Sequence, residues 1–137
     1  MATAGNTARR VLVVDDHRLV CETIGQVLAL DGHEVEMVTS GEEASLAFEP
    51  GKFDMSIVEY AMQWMNGDEV AAAIRALAPQ QPIIMITAYS EALRSGGSFP
   101  LAVDLVMSKP FDVRELQETV RRLAGKTWRA GASAPPR

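Results

Sequence analysis

Hydrophobic and polar residues follow one another along this chain with two different periods. Short apolar runs rich in Val, Ile and Met, typical of strands buried on both faces, are separated by segments whose apolar residues recur at helical spacing. The predicted strands cover residues 11–14, 35–38, 55–58, 83–86 and 103–107. Five strands that alternate with helices predict right-handed β-α-β units. The expected fold class is therefore α/β, a doubly wound sheet of five parallel strands with helices on both faces.

Polar residues mark the start of most of the predicted helices. The side chains expected to cap the first, second and last helices are those of Asp16, Ser40 (with Glu43 as its capping-box partner) and Asp112. The third helix is expected over residues 68–77. A short fourth helix is expected over residues 90–95, ahead of a glycine-rich stretch that interrupts the pattern.

The size and composition of the chain are those of one globular domain. It has 137 residues, 47% of them hydrophobic and 23% charged, which is ordinary for a folded protein. We expect one domain over residues 10–124, a disordered segment over 1–9 and a flexible tail over 125–137. Thirteen Lys and Arg against 18 Asp and Glu give a net charge of −5, which argues against a nucleic-acid binder that relies on its own charge.

Cysteine usage and hydropathy exclude further kinds of site and location. The single cysteine, Cys21, excludes an internal disulfide and a zinc site built from cysteines. No apolar run approaches the roughly 20 residues that a membrane span requires. A cytoplasmic protein without membrane contact is therefore expected.

Polar side chains stand where the predicted strands end. They are Asp15 and Asp16 after the first strand, Glu59 after the third, Thr87 after the fourth and Lys109 after the fifth. In a parallel sheet these ends share one edge, where ligands bind. Carboxylates crowded there repel, by roughly 4 kcal/mol for two charges 4 Å apart at an effective dielectric constant of 20.

A divalent cation relieves this repulsion, and an oxygen-rich site suits Mg²⁺. Lys109 and the hydroxyl of Thr87 would then contact an anion beside the metal, such as a phosphoryl group. Each residue alone also has a simpler explanation, because two aspartates suit a helix start and most lysines are merely solvated. The convergence of all five on one edge favours a functional site.

The chain resembles the receiver domain of bacterial two-component response regulators from Arg10 to Leu123. The stretches that carry the resemblance are Val11-Leu12-Val13-Val14-Asp15-Asp16, Ile84-Met85-Ile86-Thr87-Ala88-Tyr89 and Lys109-Pro110-Phe111-Asp112, together with Met62 and Met65-Asn66-Gly67. No single stretch is decisive, but their order and spacing together are specific. The resemblance implies a flavodoxin-like (βα)5 fold.

It also implies roles for single residues. In that family an acidic pair, the phosphoacceptor aspartate and a backbone carbonyl hold Mg²⁺, while a switch hydroxyl and a lysine contact the phosphoryl group. The corresponding residues here are Asp15 and Asp16, Glu59, Ala61, Thr87 and Lys109.

The implied partners are a histidine kinase or phosphotransfer protein and a downstream protein target, with no direct binding of nucleic acid. We expect a monomer or weak homodimer that is no enzyme and meets partners through the fourth helical segment, the fifth strand and the last helix.

The chain departs from the family pattern at the residues that matter most. The acceptor position holds Glu59 instead of aspartate, so phosphorylation is expected to be impaired or mimicked. Gln63 replaces a proline, and Val106 replaces the aromatic residue of the usual switch, for which Tyr89 would be a partial substitute. Residues 97–101 replace the family's Gly-Ala-Asp segment.

Three functions are compatible with an α/β sheet of this kind. A stand-alone receiver is favoured, because the residues after Leu123 are expected to be too few for an output domain. The alternative is a Mg²⁺-dependent phosphohydrolase of a related α/β fold, but such enzymes need two aspartates separated by one residue, and here they are adjacent. A flavin-binding protein would need a loop rich in Ser, Thr and Gly after the first strand, where this chain has Asp15-Asp16-His17-Arg18.

Overall fold

Five parallel strands and five helices alternate along the chain in this computed structural model, which describes residues 8–96 and 102–133. The elements are β1 (Arg10–Val14), α1 (Arg18–Leu30), β2 (Glu34–Val38), α2 (Gly41–Ala47), β3 (Met55–Val58), α3 (Gly67–Leu77), β4 (Ile83–Thr87), α4 (Ser90–Ser95), β5 (Leu105–Ser108) and α5 (Val113–Ser133). The strand order is β2-β1-β3-β4-β5, and every neighbouring pair is parallel. The predicted fold class is confirmed.

The sheet separates two hydrophobic cores. Side chains alternate along β1, so Val11 and Val13 face one core while Leu12 and Val14 face the other. The first core packs against α1 and α5, and the second against α2, α3 and α4. Because β1, β3 and β4 are covered on both sides, their largely apolar sequences are what the fold requires, and the buried hydroxyl of Ser56 in β3 donates to Gln81 at 2.6 Å.

Arg75 on α3 fastens the edge of the sheet opposite to the strand ends that carry the polar cluster. Its guanidinium donates to the carbonyl oxygens of Pro79 and Gln81 at 2.9 and 2.7 Å. It also donates to the carbonyl of Ala102 at 2.7 Å and to the carboxylate of Asp104 at 2.9 Å. One side chain therefore ties the end of α3 to the segments that lead into β4 and β5.

The predicted capping residues have mixed outcomes. Asp112 accepts from the backbone N–H of Arg114, as expected for a cap. Ser40 accepts from the N–H of Glu43, but the Glu43 carboxylate reaches back to Thr39 instead of completing a box. The prediction for Asp16 is wrong, because α1 begins one residue later and its N-cap, His17, makes no side-chain cap bond.

Several predicted boundaries also differ from the structure by one or two residues: β1 and β2 begin one residue early, and β4 and β5 end one residue late. Helix α3 begins at Gly67, one residue early, because Asn66 and Glu69 form a reciprocal capping box. Strand β5 begins at Leu105 instead of residue 103, since the Asp104 carboxylate accepts from the N–H of Ile83 ahead of the ladder.

Helix α5 continues to Ser133, past the glycine at which the sequence predicts its end. A single glycine costs only about 1 kcal/mol in a helix and does not have to end it. The flexibility predicted for residues 125–137 stays a prediction.

The predictions for residues 1–7, 97–101 and 134–137 lie outside the described residues. Within residues 8–96 and 102–133, no helix is both long and apolar enough to cross a membrane.

Candidate functional site at the carboxyl edge of the sheet

Asp15 and Asp16 follow β1 but have different surroundings. Asp15 is only 2% exposed, whereas Asp16 lies at the surface. The two carboxylate oxygens of Asp15 are both engaged: Oδ1 accepts from the backbone N–H of His17 at 2.9 Å and Oδ2 from Nζ of Lys109 at 2.8 Å. The buried aspartate is therefore fixed by its neighbours, while Asp16 is open to solvent or to a cation.

Glu59 follows β3 and is 5% exposed. Its backbone N–H donates to the carbonyl of Val14, which sets the residue beside the end of β1. Its Oε1 lies 2.6 Å from Nζ of Lys109, and its Oε2 accepts from the backbone N–H of Ala61 at 2.9 Å. Both carboxylate oxygens of Glu59 thus contact donors from this chain.

Lys109 joins the two buried carboxylates. It follows β5, its backbone N–H donates to the carbonyl of Thr87, and the peptide bond to Pro110 is cis. Burial alone would lower the pKa of Lys109, but hydrogen bonds and charges from Asp15 and Glu59 outweigh burial and raise the pKa above its ordinary value. The ammonium therefore stays charged and holds both carboxylates at neutral pH.

Thr87 is fully buried at the end of β4. Its hydroxyl oxygen accepts from the backbone N–H of Tyr89 at 3.2 Å, and Tyr89 is 55% exposed. The structure thus brings Asp15, Glu59 and Lys109 into direct contact, with Thr87 attached to the same edge through the backbone of Lys109. It does not bond the Thr87 hydroxyl to Glu59.

The loop between β3 and α3 requires a glycine beside the site. A Cβ on Gly67 would lie 2.0 Å from the carbonyl oxygen of Glu59, and the N–H of Gly67 donates to the carbonyl of Tyr60 at 2.7 Å. No larger residue can approach the backbone of Glu59 so closely. In the same loop Trp64 is 94% exposed and has a φ of 72°, a conformation uncommon for residues other than glycine.

The acidic pair belongs to a group of potential metal ligands, and the predicted ligand set of Asp15, Asp16, Glu59 and Ala61 stays a prediction. Among the described residues, the one group of three candidate ligands within 4.8 Å of one another consists of Asp15, Asp16 and His17. The imidazole Nδ1 of His17 lies 3.4 Å from Asp15 Oδ1 and 3.2 Å from Asp16 Oδ1. The acidic pair offers the hard oxygen ligands that Mg²⁺ prefers. Glu59 is not part of this group, and no motif in the sequence pointed to His17.

Two further contacts, which no sequence motif indicated, connect α4 to β5. The hydroxyls of Ser90 and Ser108 lie 2.5 Å apart, and Arg94 donates to the carbonyl of Val106 at 2.7 Å. Val106 itself is buried and apolar. These contacts join residues that are 18 and 12 positions apart in the chain, so no local sequence pattern predicts them.

A groove of about 570 Å³ lies beside the site. It is formed by the start of α1 and by the turn from β5 into α5, and Lys109 forms part of its wall. Its lining includes Leu19, which is 76% exposed, and Val113, which is 45% exposed. Apolar side chains open to solvent next to a charged site are typical of a protein-contact surface.

Comparisons with known proteins identify a family that this chain resembles. A family model described as the response regulator receiver domain matches residues 11–121. The response regulator protein FleR of Pseudomonas aeruginosa is 34% identical over 123 residues, which cover 85% of this chain and 25% of FleR. The regulatory protein VanRB of Enterococcus faecalis is 33% identical over 125 residues, covering 91% of this chain and 55% of VanRB. The chain therefore spans about a quarter to a half of the length of these relatives.

Solved structures share the architecture. A CheY-like receiver domain protein from Methanospirillum hungatei superposes with a TM-score of 0.81 at 25% identity, over 89% of this chain and 98% of that one. The response regulator TrrA of Thermotoga maritima, solved in complex with Mg²⁺-BeF, gives a TM-score of 0.75 at 36% identity, over 84% of this chain and 98% of that one.

Proposed function

We propose, given that this chain belongs to the response regulator receiver domain family of two-component signalling, that its acceptor position takes up phosphate poorly or not at all. In place of a free carboxylate, the site contains an internal ion pair between Glu59 and Lys109. The observation that carries this proposal is the 2.6 Å separation of Glu59 Oε1 from Lys109 Nζ.

Two features of Glu59 oppose phosphoryl transfer, namely its contacts and its length. An attacking oxygen needs a lone pair in line with the donor, whereas the contacts from Lys109 and from the N–H of Ala61 fix the orientation of both oxygens of Glu59 and draw negative charge from them. The extra methylene of glutamate also shifts the carboxylate by up to about 1.5 Å from where an aspartate would hold it. A misplacement of about 1 Å is enough to cost on the order of a hundredfold in rate.

The same ion pair supports a second part of the proposal, that Glu59 imitates the phosphorylated site. In this family the lysine contacts the transferred phosphoryl group, which is an anion. Here Lys109 already contacts the carboxylate of Glu59, in addition to that of Asp15, without any phosphoryl donor. The domain would then signal without depending on phosphorylation.

The acidic pair is suited to hold Mg²⁺ weakly. Asp15 and Asp16 would bind it, and the family pattern adds Glu59 and the carbonyl of Ala61. The chemistry that the ion supplies at such a site is neutralisation of charge on phosphoryl oxygens. Lys109 competes for this role, because its ammonium already neutralises one oxygen each of Asp15 and Glu59.

The proposed partners are a histidine kinase or phosphotransfer protein on the input side and a protein target on the output side. The groove beside Lys109, with its exposed Leu19 and Val113, is one surface for them. The face of α4, β5 and α5 is the other. A monomer or weak homodimer is sufficient for both.

The phosphohydrolase alternative is disfavoured by the state of the first aspartate. Such an enzyme needs a free aspartate after the first strand as its nucleophile. Asp15 has both oxygens hydrogen-bonded, to His17 and Lys109. We expect no turnover of a generic phosphate ester.

Intact-mass measurement after incubation with acetyl phosphate and Mg²⁺ tests the proposal. The native chain and the matched control Glu59→Gln should gain no phosphoryl group, whereas Glu59→Asp, which restores the shorter nucleophile, should gain one. A stable gain on the native chain that disappears in Glu59→Gln would overturn the proposal.

A further inference from the structure

Helix α4 is attached to β5 by two polar contacts. At its beginning, the hydroxyl of Ser90 lies 2.5 Å from that of Ser108. One turn later, the guanidinium of Arg94 donates to the carbonyl of Val106 at 2.7 Å. Between them, the side chain of Leu93 is buried in the core that Val106 shares. The helix has only six residues, so these contacts decide where it lies far more than its own hydrogen bonds do.

Ser108 connects this attachment to the candidate site. It is the last residue of β5 and directly precedes Lys109, whose ammonium contacts Asp15 and Glu59. Within the described part of the chain, strand β5 lies at the edge of the sheet and pairs only with β4. An edge strand is held on one side only, so a change in how Lys109 is anchored is transmitted to Ser108 more readily than it would be in a central strand.

We propose that the Ser90–Ser108 hydroxyl pair is the link through which the ion pairing of Lys109 controls the docking of α4 on β5. A hydroxyl pair suits this task because a hydrogen bond is directional and weakens steeply with misalignment. The polar group that Val106 offers to α4 is its backbone carbonyl, so its apolar side chain supplies no comparable directional contact. This inference deepens the proposed function, since it names the route by which the charge at position 59 would reach the α4 face.

Amide hydrogen exchange in the free chain tests the link. The readout is the exchange of the Leu93 and Gly96 amides, which donate to the carbonyls of Tyr89 and Ala92 at the two ends of α4. Glu59→Gln removes one of the two carboxylates that anchor Lys109. It should accelerate exchange at both amides by about fivefold, the factor expected for loss of one ordinary hydrogen bond. Exchange in α2, at the other end of the sheet, should not change.

Variants of Ser108 then identify the route. In a Ser108→Ala background the exchange in α4 should already be fast, and Glu59→Gln should add nothing. In Ser108→Thr, which keeps the hydroxyl and suits a strand, the effect of Glu59→Gln should return. Ser95→Ala is the matched control, because the Ser95 hydroxyl bonds to the Glu91 carbonyl of its own helix.

Two results would overturn the link. One is an effect of Glu59→Gln on α4 that is equally large in Ser108→Ala and in the native chain. The other is no effect of Glu59→Gln on α4 in the native chain. Both measurements are made without a phosphoryl donor, so their failure is distinct from a failure of the proposed function, which the intact-mass experiment decides.

Discussion

Replacing Lys109 by methionine is the perturbation that most directly measures what the ion pair contributes to stability. Methionine keeps the apolar stem and most of the length of lysine but removes the charge. The carboxylates of Asp15 and Glu59, whose side chains are 3% and 6% exposed, would then remain buried without a cation.

The magnitude follows from burial and from the two ion pairs that the substitution removes. The ammonium of Lys109 lies 2.8 Å from Asp15 and 2.6 Å from Glu59, and its side chain is only 17% exposed. Removing one partner from a buried pair costs about 3–5 kcal/mol, mainly because the other partner is left uncompensated. We expect a decrease of that size in the free energy of unfolding, a large share of the roughly 5–15 kcal/mol typical of a domain.

Urea denaturation supplies the assay, with Lys52→Met as the matched control. The ammonium of Lys52 lies 3.5 Å from Glu36, donates to the carbonyl of Ala47 at 3.3 Å and lies 5.4 Å from the centre of the Phe53 ring. Because the side chains of Lys52 and Glu36 are 41% and 43% exposed, its removal should cost about 1–2 kcal/mol, less than that of Lys109. In the double variant Lys109→Met/Glu59→Gln, the destabilisation should be smaller than the sum of the two single effects, because one uncompensated charge disappears.

The stabilisation by the ion pairs of Lys109 depends on pH. The folded-state pKa of Lys109 lies above its unfolded value near 10.5. The stabilisation is therefore complete below pH 10.5 and is lost as the pH rises through the folded-state pKa. The difference between the native chain and Lys109→Met should shrink in that range. The reasoning is refuted if Lys109→Met costs no more than Lys52→Met, or if the two effects in the double variant simply add.

Three further predictions concern other parts of the fold. Burial lowers the pKa of His33, whose Nδ1 accepts a hydrogen bond from a backbone N–H. The contribution of neutral His33 to stability should therefore be complete above about pH 6.5 and decrease as the pH falls below that value. The urea midpoints at pH 7.5 and pH 5 should differ less in His33→Gln than in the native chain. Arg75→Met should cost about 2–4 kcal/mol in thermal unfolding because several carbonyls lose their donor, whereas the exposed Arg114→Met should cost less than about 0.5 kcal/mol. Mg²⁺ should shift the amide resonances of the acidic pair only at millimolar concentration, and a response at micromolar metal would contradict the competition by Lys109.

The fold was predictable because its strands carry the strongest signal in the sequence. A central parallel strand is buried on both faces, so its sequence is a continuous apolar run. Such a run identifies the strand as central from the sequence alone, as in β1 and β4. Boundaries were less predictable, since they depend on single side chains such as Asn66 or Asp104 that bond to distant or reciprocal partners.

The meeting of polar residues at one edge was also predictable, because parallel strands share their carboxyl ends. The direction of each side chain was not. Whether Glu59 turns to a metal, to solvent or to Lys109 depends on packing between segments that lie far apart in the sequence. The hydroxyl pair of Ser90 and Ser108 depends on how a short helix lies against an edge strand, which no periodicity describes.

Beryllofluoride binding, followed by ¹⁹F NMR in the presence of Mg²⁺, shows whether the contact of Glu59 with Lys109 closes the site to a phosphoryl-sized group. It asks whether the acceptor site offers a free carboxylate and room for a phosphoryl-sized group, independently of any transfer rate. We expect no bound fluorine signal on the native chain and a clear one on Glu59→Asp. Equal binding by the native chain, or no binding by Glu59→Asp, would contradict the claim that the ion pair of Glu59 with Lys109 occupies the site.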